Sequence, residues 1–130
     1  MPTDTTPSAR HVWRIDDLPE IETLSVTDCF DLWTLLDAEF TYRLALDGSN
    51  ESSSALGAQY APAMTRIEQA IAQTKAVDGL EVAFKIDLFT KVCEANEPGE
   101  DDWEILRSAR DNAVDLLRGA AMRKAAAAEG

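Results

Sequence analysis

Apolar side chains recur at helical spacing through most of this sequence, and polar breaks divide it into four segments. In the first, Thr27 to Asp47, the residues Cys29, Phe30, Leu32, Trp33, Leu35, Leu36, Phe40 and Leu44 project onto an arc of roughly 220°. That is wider than the stripe of a surface helix, so this helix is expected to be largely buried. Ser25 or Thr27 can cap it, and Asp28 and Asp31 complement the dipole of its first turn. The polar run from Asp47 to Ser54 reads as a loop. Pro62 fits the first turn of a second helix, where its missing N–H costs nothing, after a looser turn from Ala55 to Tyr60. Ala63, Met64, Ile67, Ala70 and Ile71 make a narrow packing stripe on that helix, which is expected to end near Thr74.

The third segment, Asp78 to Asn96, is ambiguous. Leu80, Val82, Phe84, Ile86 and Leu88 alternate with less apolar neighbours, the period of a strand. Against that, Asp78 and Glu81 have capping-box spacing, and Glu81/Lys85 and Asp87/Lys91 place acid before base at i,i+4. No partner strand precedes Asp78, so the segment is read as a helix. Being apolar on two faces, it must be central or cover its second face with another chain. A fourth helix starts after Glu97-Pro98-Gly99, with Asp101 and Glu104 at capping-box spacing. Trp103, Ile105, Leu106, Ala109, Ala113, Val114, Leu116 and Leu117 give its apolar face to about Arg118. The Ala-rich tail 120–130 either extends this helix or frays.

Before the first helix, residues 9–26 space Val12, Trp13, Ile15, Leu18, Ile21, Leu24 and Val26 among charges, with one short helical turn expected after Pro19. They read as an extended arm pinned to the core, or equally as a docking strand for a partner. Met1 to Ser8 has neither the basic nor the apolar region of a signal peptide and reads as a disordered tail. The expectation is an all-α single domain over 9–119: a compact bundle of about four helices, the first and third at its centre, with an extended N-terminal arm.

With 45% hydrophobic and 28% charged residues the composition is that of an ordered globular chain. No apolar run approaches the roughly 18 residues needed to span a bilayer. Cys29 and Cys93 lie on apolar helical faces and read as inert buried thiols, which together with the absence of a signal points to a cytoplasmic protein. The balance of 24 acidic against 12 basic residues, net −12, argues against direct binding to nucleic acid or an anionic membrane. A charged partner should be basic.

Candidate chemistry is sparse. His11, the one histidine, has no nucleophile or metal-ligand neighbour at diagnostic spacing, the two cysteines form no metal cluster, and no phosphate-binding or hydrolase motif is present. The segment from Asp47 lacks the glycine and glutamate positions of a calcium loop. No cofactor, metal or catalytic residue is therefore expected. Asp37 projects onto the apolar arc of the first helix and Arg110 onto that of the fourth; they either form a buried ion pair or lie at the arc edges and reach water. Glu94, Glu97, Glu100, Asp101, Asp102 and Glu104 place six carboxylates in eleven residues, either as a patch for a basic partner or as a dipole-stabilising, solubilising surface. From Glu100 to Arg118 the net charge is −3 over roughly 28 Å, dilute for a duplex mimic. Val82, Ile86 and Phe89 mark the second face of the third helix as a candidate self-association surface.

The stretches EQAIAQTKAVDGLEVAFK and DDWEILRSARDNAVDLL, within residues 64–117, resemble small helical proteins common in alphaproteobacterial genomes and prophages. In that family a T-P-A…G-L…K segment precedes an acidic-started helix. Here Lys75 stands where Pro is usual, and Lys85 lies farther from Gly79 than the pattern expects. No activity is established for those proteins. The resemblance implies a small, mobile-element-borne accessory protein and carries over no active site. Taken with the charge, the expected function is a non-enzymatic interaction protein with a basic protein partner, a second copy of itself, or both. An acidic inhibitor of a DNA- or RNA-binding machine, of anti-restriction or anti-CRISPR type, is the alternative.

Overall fold

The computed structural model describes residues 18–47, 50–95 and 97–129, with side chains outside 47, 50–53 and 95. The tail 1–8, residues 9–17 of the arm, and His11 with them, lie outside the described residues. A 3₁₀ turn, Ile21–Thr23, follows Pro19 as expected and leads into four helices: α1 (Val26–Asp47), α2 (Asn50–Gln73), α3 (Gly79–Ala95) and α4 (Glu100–Glu129). No strand occurs among the described residues.

Each helix start has a local cause. The Ser25 hydroxyl accepts the Asp28 N–H at 3.1 Å, which settles the cap of α1 on Ser25. Asp78 Oδ1 accepts the Glu81 N–H at 2.9 Å, the cap that resolves the period-2 ambiguity of α3 in favour of a helix. Asp102 Oδ2 accepts the Gly99 N–H at 2.8 Å ahead of α4. The 3₁₀ turn is tied to α2 by Arg66, whose Nε and Nη2 donate to the two oxygens of Glu22 at 2.9 and 2.8 Å. That guanidinium holds the Glu22 carboxyl down to about 2.

Three expectations are corrected. The polar run after Asp47 is not an eight-residue loop, because α2 already begins at Asn50. Pro62 consequently stands inside α2 and not in its first turn. Half-buried Leu56 and buried Tyr60 pack the N-terminal half of α2 onto the core, and this outweighs the weak helix propensity of the serines. The carbonyl that Pro62 leaves without a donor belongs to Ala58; both residues are exposed, so water can satisfy it. The centre is not the α1–α3 pair either. α1 packs chiefly on α2 and α3 chiefly on α4, and the two hairpins meet along α2–α4 and, less extensively, α1–α3.

The core is built from Ile21, Val26, Leu32, Leu36, Ile67, Ile71, Leu88 and Ile105, all essentially inaccessible. Phe30 of α1 stacks on Phe84 of α3 with centroids 4.7 Å apart. A smaller cluster of Ala76, Val82 and Ala109 seals the other end of the α3–α4 seam. α4 buries only Ile105, Ala109 and Asn112. Its 30 residues span about 45 Å against about 26 Å for the 17 of α3, so Leu117 and Met122 run past the bundle and stay exposed. The helix continues through Gly119, and the tail to Glu129 is its extension.

Candidate partner-binding groove

Helical register brings polar and aromatic side chains of all four helices to one end of the bundle. Trp33, Asp37 and Phe40 follow each other at i, i+4 and i+7 on α1, and Tyr60, Met64 and Glu68 at i, i+4 and i+8 on α2. Between them enter Lys91, Val92 and Glu94 from the end of α3 and Asp102 from the start of α4. Together they line a groove of about 630 Å³, within the range of ligand pockets. A second hollow of about 300 Å³ shares Thr65, Glu68 and Asp102 with it and adds Glu100 and Asp101. A third, of about 250 Å³, continues along α2 to Gln73 and is bordered by Asp101 and Glu104. The three form one trough along the α2–α4 seam, lined by seven carboxylates and one ammonium, that of Lys91.

The electrostatics of its floor centre on Glu68. Trp33 Nε1–H donates to Glu68 Oε2 at 2.8 Å, and among the described residues no donor reaches the other oxygen. Burial pushes the Glu68 carboxyl up, the indole N–H pulls it back, and the negative charge of Asp102 adds to the rise. At the far wall Phe40 lies 5.3 Å from Tyr60, ring to ring, and the Tyr60 hydroxyl donates to Glu39. The guanidinium of Arg43 sits over the Tyr60 ring, 5.7 Å from its centroid.

Of the six acids singled out in the turn between α3 and α4, five are exposed and Asp102 is half-buried. Glu100 and Glu104 share Arg107 at 3.3 and 2.7 Å, and Asp102 caps α4. Glu94, Glu97 and Asp101 take part in no salt bridge among the described residues. Asp37 and Arg110 are not a buried pair. Arg110 is exposed and binds Asp111 at 3.2 Å, whereas Asp37 is half-buried on the groove wall. Neither thiol is in a disulfide: Cys29 is buried, its thiol donates to the Ile21 carbonyl at 3.8 Å and burial pushes it up to about 11, but Cys93 is only half-buried.

The proposed self-association face of α3 is largely used within the chain. Val82 is 8% exposed in the cluster with Ala76 and Ala109, and Phe89 packs on Trp103 at 5.1 Å, leaving Ile86, 46% exposed, as its one open member. Val82→Ala is accordingly expected to cost about 2 kcal/mol in urea unfolding, whereas Ile86→Glu leaves both the unfolding midpoint and the mass from light scattering unchanged. A double change of Val82 and Ile86 to Glu is expected to give an unfolded chain and not a folded monomer, because Val82 is buried.

Sequence reasoning missed a buried polar network that adjoins this face of α3. Glu81, 4% exposed, accepts the Thr27 N–H and hydroxyl at 3.0 and 2.8 Å on one oxygen and the Val77 N–H at 2.9 Å on the other. Lys85, fully buried, donates from Nζ to the Thr74 carbonyl at 2.6 Å and to Ser108 Oγ at 2.7 Å. Asn112 Oδ1 accepts the Ala76 N–H at 2.9 Å. These bonds fasten the α2–α3 turn to α1, α3 and α4. The i,i+4 spacing of Glu81 and Lys85 was the available signal, but it reads as a surface pair unless the face is known to be covered.

Comparison with protein-family models, curated proteins and solved structures finds no match. Among the described residues, no helix is long and apolar enough to cross a membrane.

Proposed function

We propose that this chain is a non-enzymatic protein-interaction module that holds a basic protein partner in the acidic trough between α2 and α4. The observation that carries this reading is the continuity of the trough: seven carboxylates from four helices border connected hollows, offset only by Lys91 on the wall and by Arg107, which pairs with Glu100 and Glu104. Such a surface draws cationic partners and repels nucleic acid and anionic lipid. Residues 94–104, singled out for their acidity, supply five of the seven. An accessory role agrees with the resemblance of residues 64–117 to small prophage-associated helical proteins. Mimicry of a nucleic acid toward a DNA- or RNA-binding machine draws less support. It needs an uninterrupted row of unpaired charge, but Arg107 neutralises Glu100 and Glu104, and Asp102 turns back to cap Gly99.

The test is affinity capture from lysate of the native host, read by mass spectrometry at low and high salt, beside the triple variant Glu94→Gln/Asp101→Asn/Glu104→Gln; Glu97, the sixth acid singled out by the sequence, does not line the trough. The expected result is a basic partner retained at low salt, released at high salt and lost with the variant. Capture indifferent to both salt and variant would remove the electrostatic basis of the reading.

A further inference from the structure

After Asn112 no side chain of α4 is buried, although the helix continues to Glu129. Its covered side is Ile105, Ala109 and Asn112. Roughly 140° round from these, at 100° per residue, Trp103, Arg110, Val114, Leu117, Ala121 and Ala128 follow one another at steps of seven, four, three, four and seven residues. That is the spacing of a seam between paired helices, and all six residues are exposed, Leu117 at 70%. Charge along the same helix is segregated. Glu100 to Arg107 hold four acids against one arginine, net −3, and Arg118 to Lys124 hold Arg118, Arg123 and Lys124 and no acid, net +3. Between them Arg110 is balanced by Asp111, which it binds, and Asp115 is left over. Within the chain the two poles stand about 25 Å apart along a straight helix and cannot meet. A second copy laid antiparallel brings each pole against its opposite, whereas a parallel copy sets like against like.

We propose that the protein forms a twofold dimer in which the outward stripe of α4 pairs antiparallel with α4 of a second copy, the twofold axis crossing the helices at the level of Asn112. The two helices then overlap from Glu100 to Lys124, about 37 Å. In this register Trp103 of one copy lies opposite the small Ala121 of the other, and Val114 lies opposite the apolar stem of Arg110. Arg118 and Lys124 of each copy come beside the acidic first turns of the other. The dimer goes beyond the trough reading and does not depend on it. Ile86 is on α3 and outside the stripe, in keeping with the unchanged mass expected of Ile86→Glu.

The experiment is sedimentation equilibrium of the full chain at low salt and tens of micromolar. The parent is expected at twice its 14.2 kDa. Leu117→Glu is expected to be monomeric with its helical circular dichroism intact, since the side chain is exposed and has no packing to lose within the chain. Reversing the basic pole with Arg118→Glu/Lys124→Glu is expected to weaken the dimer tenfold or more, and reversing the acidic pole with Glu100→Lys/Glu104→Lys to do the same. An equimolar mixture of the two reversed chains is expected to regain the dimer mass, because each end again meets its opposite. A monomeric parent overturns the proposal and leaves the face to residues 9–17 of the chain itself or to a different protein. A dimer that survives Leu117→Glu, or that is indifferent to reversal of the basic pole, overturns the antiparallel α4 seam, as does a mixture no tighter than either reversed chain alone. Leu117 lies outside the trough, so capture of a basic partner by Leu117→Glu tests the trough separately from the dimer.

Discussion

Replacing Glu81 by glutamine is expected to cost the fold about 4 kcal/mol, and the thermal midpoint to fall by about 10–20 °C. The carboxylate is buried and accepts three hydrogen bonds, from the Thr27 N–H, the Thr27 hydroxyl and the Val77 N–H. Burial works against its ionisation, yet those donors and the neighbouring Lys85 outweigh it and leave the carboxyl below its ordinary value. Glutamine turns one acceptor oxygen into an NH₂ that must face an N–H or a hydroxyl. One backbone donor is then buried without a partner, and the Lys85 ammonium loses its countercharge. The same side chain joins the first turn of α1 to the turn before α3, so the loss reaches two hairpins at once. A cycle of Glu81→Gln, Lys85→Met and the double variant should give a coupling of about 1–3 kcal/mol; additive costs would mean that the two charges do not sense each other.

This network also marks where the sequence stops being legible. Periodicity located α1, α3 and the start of α4 by their apolar arcs, and Asp78 decided between strand and helix for residues 80–88 through a bond that the structure contains, whereas the cap of α4 is Gly99 with Asp102 and not the expected Asp101 with Glu104. The same reasoning failed where burial is polar. Glu81, Lys85 and Asn112 occupy covered positions but interrupt the apolar pattern, so they read as solvated. It failed again at Asn50 to Ser54, where residue preferences favour a loop but Leu56 and Tyr60, farther along, anchor the whole helix.

The groove was half legible. Asp37 stood out because an acid lay on an arc with Trp33 and Phe40, and that arc does line the groove. Arg110 was the wrong partner, since a helical projection gives the angle of a side chain and not its height along the neighbouring helix. The covered face of α4 is Ile105, Ala109 and Asn112, which turns Arg110 to water and brings Asp102, two turns earlier, to the groove. Glu68 gave no signal of its own: it lies on the polar side of α2 and matters only because Trp33 and Asp102 arrive beside it.

Lys85 should make the protein more stable as the solution becomes alkaline, by about 3 kcal/mol between pH 8 and 10.5. Burial drives the ammonium from 10.5 down to about 8, against the opposing pull of Glu81. In that window the unfolded chain holds the proton and the folded chain has released it. Folding therefore expels a proton, and raising the pH favours the folded state; below pH 8 both states carry the charge and the full penalty of burying it remains. Deprotonation does not undo the local structure, because a neutral amine keeps two N–H groups, enough for the Thr74 carbonyl and Ser108 Oγ. Urea unfolding of the parent and of Lys85→Met across pH 7–11 isolates this one group, since every other ionisation is common to both. The stability difference, parent minus variant, is expected to rise by about 3 kcal/mol through the window. Parallel profiles would mean that the lysine is hydrated as fully as in the unfolded chain, which would remove the electrostatic cost that the geometry of this network implies; a rise extending well below pH 8 would mean that the buried lysine is already neutral there.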